Sequence, residues 1–333
     1  MKNLATTFVG CLVTFFWLSC LADETNAPKE VSDLPNWVSG SIEPFHADLS
    51  EWIESSSRSL DGFFGSTDAL TIENDSYLRL SYDAEWFEGK TNNHSLGVRF
   101  RLDLPTTAER LRLVIENEPE EYRGTLASQE KSLNTSADRS LRGILIGIKR
   151  LSSRDKRQHW NAELGAGVKL HLLPDPYVRA ITQRQWSLAT SPWLLHSDNR
   201  ISWFNSDGYS ARTRWELGRP IGEDRYFRLL TNVQWRETED TLEYSQAIEF
   251  NRRLSQRSVI RYSGVVLGES SSNPAIEDTY IEIRYRRNIH KGFTFLDIAP
   301  SLHFPREDDR QSRWALNISL EMYFRRYIER MDL

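Results

Sequence analysis

Cysteine is almost absent. The chain of 333 residues has two, Cys11 and Cys20, both close to its N-terminus. From residue 23 onward no disulfide and no thiolate metal site can form. Long apolar runs are lacking as well. Beyond the N-terminus none reaches the ~20 residues a spanning helix needs, which excludes a helical membrane protein. There is no basic surplus: 42 Lys and Arg stand against 47 Asp and Glu, for a formal charge of −5. That balance gives no electrostatic footprint for nucleic acid. The seven histidines show no HxH or HExxH spacing, and no phosphate-cradling glycine loop or dinucleotide fingerprint occurs. The sequence therefore assigns no metal, no cofactor and no nucleic-acid partner. Aromatics, by contrast, are plentiful. With 11 Trp, 15 Phe and 12 Tyr the chain is not a solvating, disordered polymer.

The first 22 residues read as a secretory signal peptide. Lys2 supplies the positive start, FVGCLVTFFWL the apolar stretch, and Cys20-Leu21-Ala22 small residues where a peptidase reads, which predicts cleavage after Ala22. A lipoprotein would use Cys20 itself, but Trp17-Leu18-Ser19 before it matches the lipid signal poorly. Residues 23–75 form a leader. Its first part, residues 23–39, is polar with Pro28 and Pro35 and reads as extended. Over residues 46–62, Leu49, Trp52, Ile53 and Leu60 recur at helical spacing, and Gly62 can end the helix. Such an amphipathic helix can lie in the periplasm under the main domain or plug it.

From residue 76 the period becomes two. Leu96, Val98, Phe100, Leu102 and Leu104 share one face, and Gly97, Arg99, Arg101 and Asp103 the other, because successive strand side chains point to opposite sides. Trp160–Leu172 and Trp314–Phe324 repeat the pattern. About fourteen such segments follow one another, with twelve possible because residues 179–198 divide awkwardly. Many have 9 to 13 residues, the length of a tilted bilayer-spanning strand. Compact connectors such as Asp207-Gly208, Arg219-Pro220-Ile221-Gly222 and Asn288–Gly292 join neighbours in a meander. No crossover is long enough for parallel pairing. The fold expected is all-β: a transmembrane antiparallel up-and-down β-barrel over residues 76–326, with a short N-terminal helix and a tail at 327–333. The longest gap, residues 117–139, becomes an extracellular loop.

The charged face decides between a soluble and a membrane barrel. Its residues include Arg99, Arg101, Arg112, Glu163, Arg212, Arg214, Arg228, Glu249, Glu282, Arg284, Arg286 and Glu321. An exported, cysteine-free chain of long strands, with Trp86, Trp160, Trp186, Trp215, Trp235 and Trp314 near strand ends, fits a lipid-facing apolar row and a charged lumen. Closure also removes strand edges.

Short motifs add a resemblance. Leu60-Asp61-Gly62-Phe63-Phe64-Gly65, Leu104-Pro105, Leu173-Pro174-Asp175-Pro176, Arg284-Tyr285-Arg286-Arg287-Asn288-Ile289-His290 and Phe304-Pro305-Arg306-Glu307 resemble a group of uncharacterised outer-membrane barrel proteins of Gram-negative bacteria. The resemblance implies an exported barrel and carries no activity. The chain departs from many such barrels in continuing past Phe324 instead of stopping on the aromatic residue that assembly machinery reads.

Among groups that might do chemistry, Ser301, His303 and Asp297 share a face. They are the one local trio of hydrolase type, but without a recognisable oxyanion-hole motif. Read as wall polarity, they leave no catalytic residues. Acidic runs such as Glu307-Asp308-Asp309 read as solvated loops, with bridging of lipopolysaccharide through a divalent cation as the other use. Opposite charges on the inner face are closely balanced, which favours cross-strand pairs over a strongly selective charged ring. The function expected is a narrow channel or a structural envelope protein. It would touch outer-membrane lipid, lipopolysaccharide and the barrel assembly machinery. An outer-membrane lipid hydrolase and a soluble periplasmic ligand-binding β-protein are the alternatives. Nothing in the sequence sets an oligomeric state.

Overall fold

The computed structural model describes residues 32–36, 38–40, 42–43, 77–105, 111–116, 126, 144–151, 161–170, 174–188, 192–271 and 275–324. The expected signal peptide, the helix over residues 46–62, the Leu60–Gly65 motif and the tail at 327–333 lie outside the described residues.

Fourteen strands run in chain order: β1 (Tyr77–Phe87), β2 (Asn93–Pro105), β3 (Leu111–Glu116), β4 (Ile144–Leu151), β5 (Asn161–Leu170), β6 (Asp175–Ser187), β7 (Leu194–Phe204), β8 (Gly208–Pro220), β9 (Arg225–Arg236), β10 (Thr241–Ser255), β11 (Ser258–Glu269), β12 (Ile276–His290), β13 (Thr294–His303) and β14 (Arg313–Phe324). Each pairs antiparallel with its sequence neighbours, and β1 pairs with β14 from Leu78↔Phe324 to Phe87↔Ala315. The sheet is a closed, up-and-down transmembrane-type barrel. Fourteen strands settle the count that residues 179–198 left open, because β6 and β7 divide there at a connection beginning with Leu188. The end where β1 starts and β14 stops is called the near end below, and the opposite mouth the far end.

Burial is inverted relative to a soluble barrel. Leu96, Leu164, Ile201 and Ile281 are exposed by 58% or more, while Asp278, Asp297, Ser319 and Glu321 are 3% exposed or less. Along these strands an apolar row therefore faces out and a largely polar row is enclosed. The outward face of β6 to β10 carries polar side chains as well, but they bond to one another. Asn199 Nδ2 donates to Thr182 Oγ1 at 3.4 Å and Thr213 Oγ1 donates to Asn199 Oδ1 at 2.6 Å. Thr231 Oγ1 donates to Gln246 Oε1 at 2.7 Å. A polar group that meets hydrocarbon needs such a partner. Trp86, Trp235 and Trp314 stand toward the far end of their strands, whereas Trp186 and Trp215 stack at 6.0 Å nearer the other end.

Turn chemistry follows the backbone. Gly208, Gly222 and Gly292 hold φ of +70°, +70° and +85°, a region costly to side chains with a Cβ. Several expected turn residues fall within strands: Gly208 opens β8, Arg219 and Pro220 close it, and Asn288 to His290 close β12. Asp175 and Pro176 open β6, and the Asp175 carboxylate accepts from Ser206 N at 2.9 Å and Ser206 Oγ at 2.6 Å. The leader also differs from its extended reading. After Pro35 the chain turns helical at Asn36, Val38–Gly40 and Ile42–Glu43, with Val38 N and Ser39 N both donating to Pro35 O.

Ile248 sits half-way along β10 on the outward face and is 54% exposed. Ile248→Arg places a guanidinium in mid-membrane and lowers unfolding stability by about 2–4 kcal/mol. Denaturant titration of the barrel folded in phospholipid vesicles measures this.

Candidate functional site: the enclosed wall and its near-end latch

Charged residues of opposite sign pair across the inward face, and on β8 to β11 their signs alternate from strand to strand. On β8 to β11, Glu216 faces Arg228 at 3.6 Å, Arg228 holds Glu249 at 2.5 Å, and Glu249 faces Arg261 at 3.6 Å. Arg214 completes that side, 3.9 Å from Glu216. On β12 to β1, Arg286 bridges Asp297 at 3.1 Å and Glu321 at 2.8 Å, and Arg79 approaches Glu321 at 3.2 Å. Arg284 grips Glu282 on its own strand at 2.9 Å. Register explains the order. Directly opposed residues share a face, and Arg228↔Glu249 and Arg286↔Asp297 are such pairs.

The expected lumen residues distribute as follows. Arg214, Arg228, Glu249, Glu282, Arg284, Arg286 and Glu321 belong to these two arcs. Glu163 meets Arg179 at 3.9 Å on β5 and β6. Arg99 is opposed by Arg79, and Arg212 by Arg200. Arg101 and Arg112 are placed in β2 and β3 by their backbone, and their side chains lie outside the described residues. The sequence reading missed Arg79 and Arg179. Each has a partner that only pairing across the sheet reveals.

The enclosed wall is not uniformly charged. Leu145, Tyr177 and Phe204 form one apolar cluster, with the two rings stacked at 5.2 Å. Gly147 and Gly167 lie level beside Tyr177, and a Cβ at Gly147 would come within 2.2 Å of the Tyr177 hydroxyl. Leu230, Ala247, Val265, Leu267 and Tyr280 form a second cluster. At the far end, Leu126, in the connection between β3 and β4, is 1% exposed and its backbone N–H donates to Glu243 on β10. β10 stands half-way round the ring from β3, so Leu126 meets the wall opposite β3.

Ser301 and His303 do come together, but Asp297 is not their partner. Ser301 Oγ lies 2.9 Å from His303 Nε2, and His303 Nδ1 lies 3.0 Å from Asp278 Oδ2. Asp297 is committed to Arg286. Glu307 and Asp308 are engaged too, with Lys90 at 2.8 Å and Arg313 at 3.0 Å. Among the described residues no cluster of His, Asp and Glu is arranged to hold a metal.

The near end carries a latch. Asp33 accepts from Arg287 Nε at 2.8 Å and stands 3.0 Å from Arg257 Nη2. Ser32 pairs with His290 by an isolated bridge, and their side chains meet at 2.5 Å. Glu43 receives Lys291 Nζ at 2.9 Å and lies 3.5 Å from His290 Nε2. These contacts tie the leader to the β10–β11 and β12–β13 turns. Partial burial pushes the Asp33 carboxyl up, but the hydrogen bond from Arg287 and the charges of Arg257 and Arg287 outweigh it and hold it below its ordinary 3.8.

No family model matches the sequence, and no curated protein matches it. Solved structures similar to the chain are outer-membrane proteins. An anion-selective porin from Comamonas acidovorans is 8% identical, with 76% of this chain and 99% of that chain covered and a TM-score of 0.45. The loop L8 deletion mutant of OmpT, an outer membrane protein of Vibrio cholerae, is 10% identical over 75% and 99% of the two chains, with a TM-score of 0.42. Pseudomonas aeruginosa OccK11 is 9% identical over 75% and 95%, also at 0.42.

The latch has a defined pH response. A lowered folded-state value means that the ionised Asp33 favours docking above its unfolded pKa, and the gain is lost as pH falls through the lowered folded value. Double electron–electron resonance between spin labels at Asn36 and Gln256 gives one short distance at neutral pH. The distribution broadens as pH falls below the ordinary aspartate value of 3.8. Asp33→Asn broadens it already at neutral pH.

Proposed function

We propose that this chain is a narrow outer-membrane channel, inserted with its near end toward the periplasm. The observation that supports this most directly is the alternating charge arc on the inward wall, enclosed by a belt of exposed apolar side chains. A wall of paired ions keeps water and hydrated solutes inside an apolar cylinder at little net charge. Passage then depends on size and on local rearrangement of pairs more than on a fixed selecting ring. The lipid-facing row would touch outer-membrane acyl chains. The far-end loops would meet lipopolysaccharide, and the strands would be inserted by the barrel assembly machinery. An exported precursor with a removable N-terminal signal completes the reading. A structural envelope role is the second reading. The buried Leu126, held by Glu243 on the far-end wall, favours it, since a side chain enclosed there reduces free cross-section.

Planar-bilayer recording separates the two. The purified, folded protein is expected to give small ohmic steps with weak ion selectivity. Glu249→Gln leaves Arg228 and Arg261 without their shared acid and shifts the reversal potential toward anions. Silence at every voltage, from protein whose gel mobility still changes on boiling, would leave only the envelope role.

A further inference from the structure

The contact between Ser301, His303 and Asp278 has more order than wall-filling polarity requires. Ser301 and His303 are two apart on β13 and so project to the same side. Opposite them in register stand Glu282 and Tyr280 on β12, and Asp278 lies two residues beyond Tyr280 toward the far mouth. This places a carboxylate diagonal to the imidazole, at 3.0 Å from Nδ1. A carboxylate can only accept, so Nδ1 carries the proton. In a neutral ring Nε2 is then the acceptor, and it lies 2.9 Å from the Ser301 hydroxyl. The tautomer set by Asp278 is the one that lets His303 take a proton from Ser301.

Burial is graded along the relay. Ser301 is half-buried, His303 is 4% exposed and Asp278 is fully enclosed. The reacting hydroxyl can be reached from the lumen, while the orienting carboxylate cannot. The ring is also clamped. Tyr280 stacks on it with centroids 4.6 Å apart, and Phe87 of β1 lies 5.3 Å away on a tilted plane. Phe87 reaches His303 from two strands away because the residue between is Ala315, which opposes both Phe87 and Ser301. A large side chain at that point would separate them.

We infer that Ser301 is a nucleophile, with His303 as its general base and Asp278 as the residue that positions His303. The substrate class is a water-soluble carboxylic ester with a short acyl group, entering through the far mouth. Bilayer phospholipid is not the substrate, because Leu302 and its outward row meet the acyl chains and Ser301 faces away from them. Tyr280, stacked on His303, belongs to the buried apolar cluster with Val265 and Leu267, which is closed to a long acyl chain. In the first step the Ser301 oxygen bonds to the ester carbonyl carbon and its proton passes to His303 Nε2. The tetrahedral adduct then expels the alcohol, which leaves with that proton. Water next attacks the acyl-serine and gives a proton to His303. The carboxylic acid departs as the proton returns to Ser301.

This inference does not depend on ion conduction. The test uses the full mature barrel, folded in detergent and verified by heat-modifiable mobility, with diisopropyl fluorophosphate as probe and p-nitrophenyl acetate as substrate. Intact-mass analysis is expected to find one adduct, mapped to Ser301 and absent from Ser301→Ala. Hydrolysis by Ser301→Ala and His303→Gln is expected to fall at least about 100-fold. Asp278→Asn is expected to lower kcat by a similar factor with KM unchanged, and Asp278→Glu to restore part of it. Neither adduct nor hydrolysis in folded wild-type protein would overturn the assignment. So would an adduct that persists in Ser301→Ala. A barrel that conducts but fails both assays would refute this inference and leave the channel reading standing.

Discussion

The pairing of β1 with β14 governs the rest. Hydrocarbon offers no partner to a backbone amide or carbonyl, so a sheet can stand in it only with no free edge. The ten opposed pairs from Leu78↔Phe324 to Phe87↔Ala315 make that closure. They also bring Arg79 to Glu321 and Phe87 to His303. One part of the ion arc and one part of the serine relay are thus direct products of the seam. Closure also assigns faces. Once the sheet is a cylinder with a period of two, one row of every strand is enclosed whatever its chemistry, and the other meets the surroundings.

Enclosing the charged row has a cost that pairing must offset. Moving an ion out of water costs several kcal/mol, and a partner left alone is worse than no pair at all. The structure meets this by sharing. Glu249 serves Arg228 and Arg261, and Glu321 serves Arg79 and Arg286 while also accepting from the Tyr323 hydroxyl at 3.0 Å. Opposed arginines such as Arg261↔Arg284 are tolerated because each has an acid beside it. A wall lined by such shared pairs carries little net field, and that balance follows from the geometry and not from composition alone.

Periodicity made most of this architecture legible. Alternation over Leu96–Leu104 and Trp314–Phe324 identified faces as well as strands, because membrane insertion swaps the environments without changing the period. Register was not legible. Nothing local in the sequence says that Asp278, 25 residues before His303, lies closer to it than Asp297 on the same strand. The sequence put Asp297 in the trio because both project to one side, yet along a strand Asp297 is six residues away, roughly 20 Å at the usual rise. A neighbouring strand brings a side chain within 5 Å or so at any level. The same limit hid Arg79 and Arg179. The leader departs from its extended reading for a different reason: a proline just ahead of a helical turn, as Pro35 is, removes no needed donor and presets the dihedral angle for it.

The serine relay shows how the same constraints can shape a reactive group. On an outward face, a buried Ser–His–Asp chain would have to exclude lipid and would leave its last oxygen in hydrocarbon. On the inward face of a soluble barrel it would be sealed in the core. A lumen near its mouth satisfies both demands: the wall encloses Asp278 and grips the His303 ring between Tyr280 and Phe87, while the half-buried Ser301 stays on the wet side. Rigidity comes from the closed sheet, since β12 and β13 cannot slide without breaking pairs from Tyr280↔His303 to His290↔Thr294. Strand placement fixes a constellation more tightly than loop placement does.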